Sequence, residues 1–179
     1  MDKDFERKVK GQKKKSIAVT VIVIAIILLI IGTIRFGLPG GGSIGPFGNK
    51  YAYVEINCTQ LTKDMSKLKK PELKDYVPKD GKILPKTKVK LEKDDTAFSV
   101  TDRICREKNI QMESKYTPGY KSYYVEGINY LYEFSAGKYS GWMYYVNDER
   151  PNYAADKIKL KNGDVVRWDY TVDYKKDGM

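Results

Sequence analysis

The chain of 179 residues contains no histidine and only two cysteines, which limits the chemistry open to it. Without histidine it cannot build a His-based catalytic triad, a histidine general base or a histidine metal site. Two cysteines cannot form a four-cysteine zinc site. The neighbouring carboxylates of Asp94 and Asp95 precede a predicted helix, where acidic side chains usually cap the helix or oppose its dipole. We therefore predict no catalytic residue, no metal site and no enzymatic activity.

Tyrosine is the abundant side chain of interest, with 15 residues in the chain. In the predicted strand Trp142–Val146, large apolar side chains fall on both faces. One face of a single sheet packs on a helix and the other meets solvent, so some of these groups must be exposed or covered by a loop. Exposed aromatic area is typical of a binding site. The alternative is that the aromatic rows only stabilise cross-strand pairs.

The elements that position these residues follow from hydrophobic periodicity and turn signals. Residues 51–57 alternate between polar and apolar side chains, which predicts a first strand. Leu61, Met65 and Leu68 have helical spacing, and a longer helix is predicted over residues 97–108 with Asp94, Asp95 and Thr96 as N-cap candidates and Asn109 closing it. Residues 70–86 are predicted to be a turn-rich crossing. The other predicted strands span residues 87–91, 110–116, 123–128, 142–146, 157–160 and 165–171.

The segment Ile17–Ile34 carries no charge and predicts a membrane-spanning helix. A bilayer core requires about 20 apolar helical residues, and in lipid a single segment satisfies its backbone only as a helix. Seven basic and three acidic residues precede the segment, so we expect a cytoplasmic N-terminus and an extracytoplasmic C-terminal part. The alternative is a cleaved signal peptide, whose apolar region is usually shorter and ends at a small-residue site. We predict a basic cytoplasmic tail (1–15), a signal anchor in the cell membrane (16–38), a Gly/Pro-rich linker (39–50) and one extracytoplasmic domain (51–179).

The formal net charge of the chain is +10. Subtracting the +4 of the N-terminal tail and Arg35 leaves +5 on residues 36–179. An outward-facing domain argues against a nucleic-acid partner. The excess lysines predict either a solvated surface or loose attraction to anionic envelope polymers.

Cys58 ends the first predicted strand, and Cys105 lies in the predicted helix. These two elements must pack to form a core, and a disulfide is permitted outside the membrane. We predict a Cys58–Cys105 disulfide; the alternative is two buried thiols that pack as small apolar groups.

Two stretches give the domain a resemblance to a known family. They are VEGINYLYEFSAGKYSGWMYYVN at 125–147 and ADKIKLKNGDVVRW at 155–168, with GKILP at 81–85 upstream. With these, the domain resembles the transcobalamin-like C-terminal domain family, a bacterial family of unknown function. The family usually has Gly where Asp148 and Ala154 stand; both departures affect turns.

The resemblance implies an α+β, β-grasp-like fold, with a small mixed sheet packed on one main helix. By analogy with relatives that cover a corrinoid, aromatic side chains would offer their faces to a flat ligand. The ligand-binding residues predicted on this basis are Tyr124, Trp142, Tyr144, Tyr145 and Trp168.

We therefore expect a membrane-tethered binding module for a small molecule, which could be corrinoid-like, for an envelope polymer or for a partner protein. The alternatives are an accessory subunit of a cell-envelope complex and, with less support, a surface enzyme.

Overall fold

The computed structural model describes residues 49–177, which belong to one compact unit with a mixed α+β fold. The predicted tail, the predicted anchor and all of the predicted linker except residues 49 and 50 lie outside the described residues. Among residues 49–177 themselves, none of the helices has the length and apolar character that a membrane crossing requires.

The main sheet has four strands in the order β2-β1-β7-β6. Its strands are β1 (Tyr51–Asn57), β2 (Lys82–Lys90), β6 (Gly141–Val146) and β7 (Val165–Thr171). The two central strands, β1 and β7, run parallel, and both edge strands pair antiparallel. Ala52, Val54 and Ile56 are fully buried, as the alternation of β1 predicts.

Helix α2 (Ala97–Glu107) is the main helix of the domain, after the short α1 (Thr59–Lys63) and before α3 (Tyr174–Asp177). Thr96 is its N-cap and forms a reciprocal capping box with Ser99. The helix buries Val100, Ile104 and their neighbours in the same core as the main sheet. Asn109 follows with a φ of 54°, which confirms that the helix closes there.

A second sheet of three antiparallel strands completes the domain, in the order β3-β4-β5. These strands are β3 (Met112–Thr117), β4 (Ser122–Ile128) and β5 (Leu131–Tyr132). The described residues thus form two sheets, where the family resemblance implies one small mixed sheet packed on one main helix.

Several predicted bounds differ from the observed ones. Strand β2 begins at Lys82, within the segment predicted to be turn-rich, because an edge strand tolerates Pro85 without a backbone donor. The strand predicted at 157–160 is instead a 3₁₀ helix, Ala155–Lys157, followed by a single bridge from Lys159 to Thr96. The helical spacing of Leu61, Met65 and Leu68 is divided between α1 and a 3₁₀ turn, Met65–Lys67.

Candidate functional site

A cavity of about 640 Å³ opens beside the edge strand β6. Its walls come from β6 and β7, from the β3–β4 hairpin and from the loop at residues 152–157. Half of its lining residues are aromatic: Tyr120, Tyr123, Tyr124, Trp142, Tyr144, Tyr153 and Trp168. We call this space the aromatic cavity.

Three side chains of the main sheet contribute to the lining of the aromatic cavity. Tyr144 of β6 pairs with Trp168 of β7, and paired residues of antiparallel strands share a face. The centroids of these two rings are 5.3 Å apart. Trp142, two residues before Tyr144, lies on the same face and meets Tyr170 edge to face at 5.3 Å.

The indole N–H groups of Trp142 and Trp168 donate hydrogen bonds to other residues of the domain. The Trp142 indole N–H donates to the Leu131 carbonyl at 2.7 Å. The Trp168 indole N–H donates to the Thr101 hydroxyl at 3.0 Å. Both rings are therefore fixed in place, and each offers apolar carbon rather than a donor to the cavity.

Tyr144 connects the edge strand to the loop that bounds the cavity. Its hydroxyl donates to the backbone carbonyl of Tyr153. Burial, with a smaller contribution from the negative charge of Asp156, raises the pKa of Tyr144 to about 12. The phenol therefore remains a neutral donor at neutral pH and holds the loop against β6.

The rim of the aromatic cavity is more exposed than its inner wall. Tyr120 and Tyr153 are 82% and 72% exposed. Tyr123 stacks on Phe98 of α2, with ring centroids 4.9 Å apart. Lys157 is the charged residue of the lining, and its ammonium donates to the Lys121 carbonyl and to Asp156.

Four of the five predicted ligand-binding residues lie at this cavity: Tyr124, Trp142, Tyr144 and Trp168. The Tyr124 hydroxyl donates to Glu133 at 2.8 Å, and burial together with that carboxylate raises the pKa of Tyr124. Tyr145 projects to the opposite face of β6, where the Arg167 guanidinium lies 4.6 Å from its ring centroid. Tyr120 and Tyr153 are not predicted as site residues from the sequence. Both lie outside helices and strands, where no periodicity shows which side chains share a face.

Cys58 and Cys105 are both buried free thiols, and the disulfide predicted between them is not formed in the structure. Burial, with smaller contributions from Asp80 and Asp102 respectively, raises the pKa of each thiol to about 12. Both pack within the core as small apolar groups.

Within residues 49–177, no three or more His, Cys, Asp or Glu side chains form a group that could hold a metal ion. The arrangement at the aromatic cavity suits binding of a flat, mainly apolar molecule.

Comparison with known proteins locates one family match. Residues 94–172 match the family model of a domain of unknown function (DUF4430). The match spans α2 and strands β3 to β7, and it includes every residue that lines the aromatic cavity. Strands β1 and β2 precede it.

No curated protein matches the chain. Among solved structures, 14 chains are similar. One is described as a "putative metal binding protein" from Ruminococcus gnavus; it is 14% identical, and the alignment covers 68% of this chain and 96% of that one with a TM-score of 0.37. At this level of similarity the likeness supports no conclusion about function.

Proposed function

We propose that this protein is a membrane-tethered extracytoplasmic module that binds a flat, largely apolar small molecule in the aromatic cavity. The observation that carries the proposal is the convergence of two tryptophans and several tyrosines, from four separate segments, on one open cavity. Ligand sites are typically concave and mostly apolar, with a few polar groups that fix orientation. The polar side chains of the lining include Lys157, Asn152 and Thr117.

The resemblance to the transcobalamin-like C-terminal domain family adds a candidate ligand class. In that family's β-grasp-like arrangement, a corrinoid is the flat molecule expected by analogy. Corrinoids are therefore included as one arm of the test, beside simpler planar aromatic compounds. The predicted span Ile17–Ile34 would hold the domain at the outer surface of the membrane.

The test uses the intrinsic fluorescence of the chain, because its two tryptophans, Trp142 and Trp168, both line the cavity. The full chain in neutral detergent is titrated with planar aromatic compounds and with corrinoids, with correction for absorbed light. We expect saturable quenching by at least one compound. Absence of saturable quenching by every compound would contradict the proposal.

A cavity-filling variant shows whether quenching occurs at this site. Ala154 lines the cavity in extended backbone with a φ of −68° and is half-buried, so Ala154→Phe adds a ring without removing a contact. We expect at least a tenfold loss of affinity with the melting temperature retained. Lys161→Phe, at an exposed position outside the lining, is the matched control and should bind normally. Equal affinity of Ala154→Phe and wild type would place the ligand elsewhere.

A further inference from the structure

The face of the main sheet that carries Tyr145 also carries a regular arrangement of cations over tyrosine rings. The Lys88 ammonium lies 3.9 Å from the ring centroid of Tyr51, and the Lys86 ammonium lies 5.2 Å from that of Tyr53. With the Arg167–Tyr145 contact, three tyrosines on this face each carry a cation. We define the basic tyrosine face as Tyr51, Tyr53, Lys86, Lys88, Lys90, Tyr145 and Arg167. Two acidic residues, Glu55 and Asp169, share this side of the sheet and lie next to Arg167.

The strand order explains why these groups share a face. Tyr53 pairs with Lys88 and Tyr51 pairs with Lys90 in the antiparallel β1–β2 ladder. The intervening side chains of β1 point into the core. The basic tyrosine face is therefore the side of the sheet opposite the buried core.

The lysines at the β2 edge of this face are not engaged in ion pairs. Among the described residues, no ion pair includes Lys86, Lys88 or Lys90. All three lysines are exposed. Arg167, by contrast, already pairs with Asp148 and Asp169. Binding capacity for an anion is therefore concentrated along β2.

The spacing of these lysines indicates what they would bind. Alternate residues of a strand are separated by about 6.6 Å, which is the backbone spacing of Lys88 and Lys90. Lys86 continues the row beside a register shift of the β1–β2 ladder. Lysine ammoniums bind phosphate as point charges. The tyrosine rings beneath Lys86 and Lys88 hold these charges in place, and because those rings already carry cations they are not free to stack on nucleobases.

We infer that the β2 edge of the basic tyrosine face is a second binding site, distinct from the aromatic cavity, for a linear polymer of polyol units joined by phosphodiesters. The lysines of β2 would contact the negative phosphates that repeat along the extended backbone of the polymer. It does not depend on a ligand in the aromatic cavity, whose lining shares no residue with this face.

The test measures binding of the full chain to a synthetic glycerol-phosphate octamer as a function of salt. The variant Lys86→Gln/Lys88→Gln/Lys90→Gln is compared with Lys79→Gln/Lys93→Gln/Lys108→Gln, a control that removes the same charge from exposed positions elsewhere. We expect the β2 variant to lose at least tenfold in affinity at 50 mM salt, and the control variant less than threefold. The slope of the logarithm of the binding constant against the logarithm of salt concentration should be smaller in magnitude by about two in the β2 variant. Each lost lysine–phosphate contact contributes roughly 0.7 to that slope.

Two further arms separate an ordered site from general charge attraction. Tyr51→Leu/Tyr53→Leu keeps every charge but removes the rings under the lysines, and we expect it to weaken octamer binding at least threefold. An octamer of deoxythymidine should bind no tighter than the glycerol-phosphate octamer. Equal losses in the two lysine variants, unchanged binding in the tyrosine variant, or tighter binding of the DNA octamer would each overturn the inference.

Discussion

At the scale of single residues, the adjacent carboxylates Asp94 and Asp95 have different environments. Asp95 is 7% exposed and accepts two hydrogen bonds from Arg103, at 2.7 and 3.0 Å. It also accepts from the Glu92 amide and the Ser99 hydroxyl. Asp94 is 60% exposed and pairs with Lys159. Of the three predicted capping candidates, Asp94, Asp95 and Thr96, the structure confirms Thr96 as the N-cap. Asp95 instead connects the helix to the preceding loop through its hydrogen bonds to Arg103 and the Glu92 amide.

Asp95→Asn should destabilise the protein by about 2 kcal/mol at pH 7, because charge-assisted hydrogen bonds in a buried site are lost. Burial alone would raise the pKa of Asp95, but hydrogen bonds from Arg103, Glu92 and Ser99 outweigh it and lower the pKa. A lowered folded-state pKa means that this stability is fully present above the unfolded value of about 3.9 and is lost as pH falls through the folded value. Urea unfolding at pH 7 and at a series of lower pH values measures the difference.

The neighbouring substitution Asp94→Asn is the control, since an exposed ion pair contributes less than about 1 kcal/mol. Equal destabilisation by the two substitutions would contradict the assigned role of Asp95. So would a gap between wild type and Asp95→Asn that stays constant down to acidic pH.

At the scale of secondary-structure elements, Gly81 controls the approach of α1 to β2. Its φ is 71°, and an added Cβ would lie 2.6 Å from the Thr59 Cα. Its carbonyl accepts from the Cys58 amide at 2.7 Å. The added Cβ would meet backbone atoms of Thr59, so rotation of a side chain could not relieve the clash.

Gly81→Ala should destabilise the domain by roughly 3 kcal/mol, since a left-handed conformation costs about 1–2 kcal/mol for a non-glycine residue and the clash adds to it. Gly163→Ala separates the two effects, because Gly163 has a φ of 94° but nothing within 4 Å of an added Cβ. We expect the control to lose about 1 kcal/mol. Chemical denaturation of the three proteins gives the comparison, and similar losses in both variants would exclude the close contact as a cause.

The bounds of some strands can be predicted from the sequence and those of others cannot, for physical reasons. Strands β1 and β7 have the predicted bounds, because alternation is unambiguous where one face is buried. The start of β2 is not predicted, because Pro85 indicates a turn. Strand β5 has only two residues, too few to show alternation. At the aromatic cavity, strand alternation predicts that Trp142 and Tyr144 share a face, whereas Trp168 joins them through the pairing of β6 with β7. The loop residue Tyr153 could not be placed there from the sequence, because its position depends on tertiary contact with Tyr144.

At the scale of the whole molecule, the reactivity of the two cysteine thiols depends on whether the core is closed. They come from the junction after β1 and from α2, and both are at most 1% exposed. With pKa values raised to about 12 by burial, and to a smaller extent by Asp80 and Asp102, they carry almost no thiolate at neutral pH.

A thiol-reactive disulfide reagent should therefore titrate two thiols per chain in denaturant and react only slowly with the native protein. The native rate should follow the opening of the core and rise with destabilising substitutions such as Gly81→Ala. Protein purified without reductant that shows no reactive thiol in denaturant, and two after reduction, would instead establish the Cys58–Cys105 disulfide predicted from the sequence.

The parallel pairing of β1 with β7 has a consequence for how the protein is made. Asn57 and Asp169 are 112 positions apart, yet their side chains are hydrogen-bonded at the centre of the main sheet. During synthesis β1 emerges early and can pair with β2, but its other edge has no partner until β7 has been translated. An unpaired apolar strand edge is the kind of surface that chaperones protect. Completion of the main sheet therefore waits until β7 has been translated, and closing this sheet is the step that should limit the rate of folding of the domain.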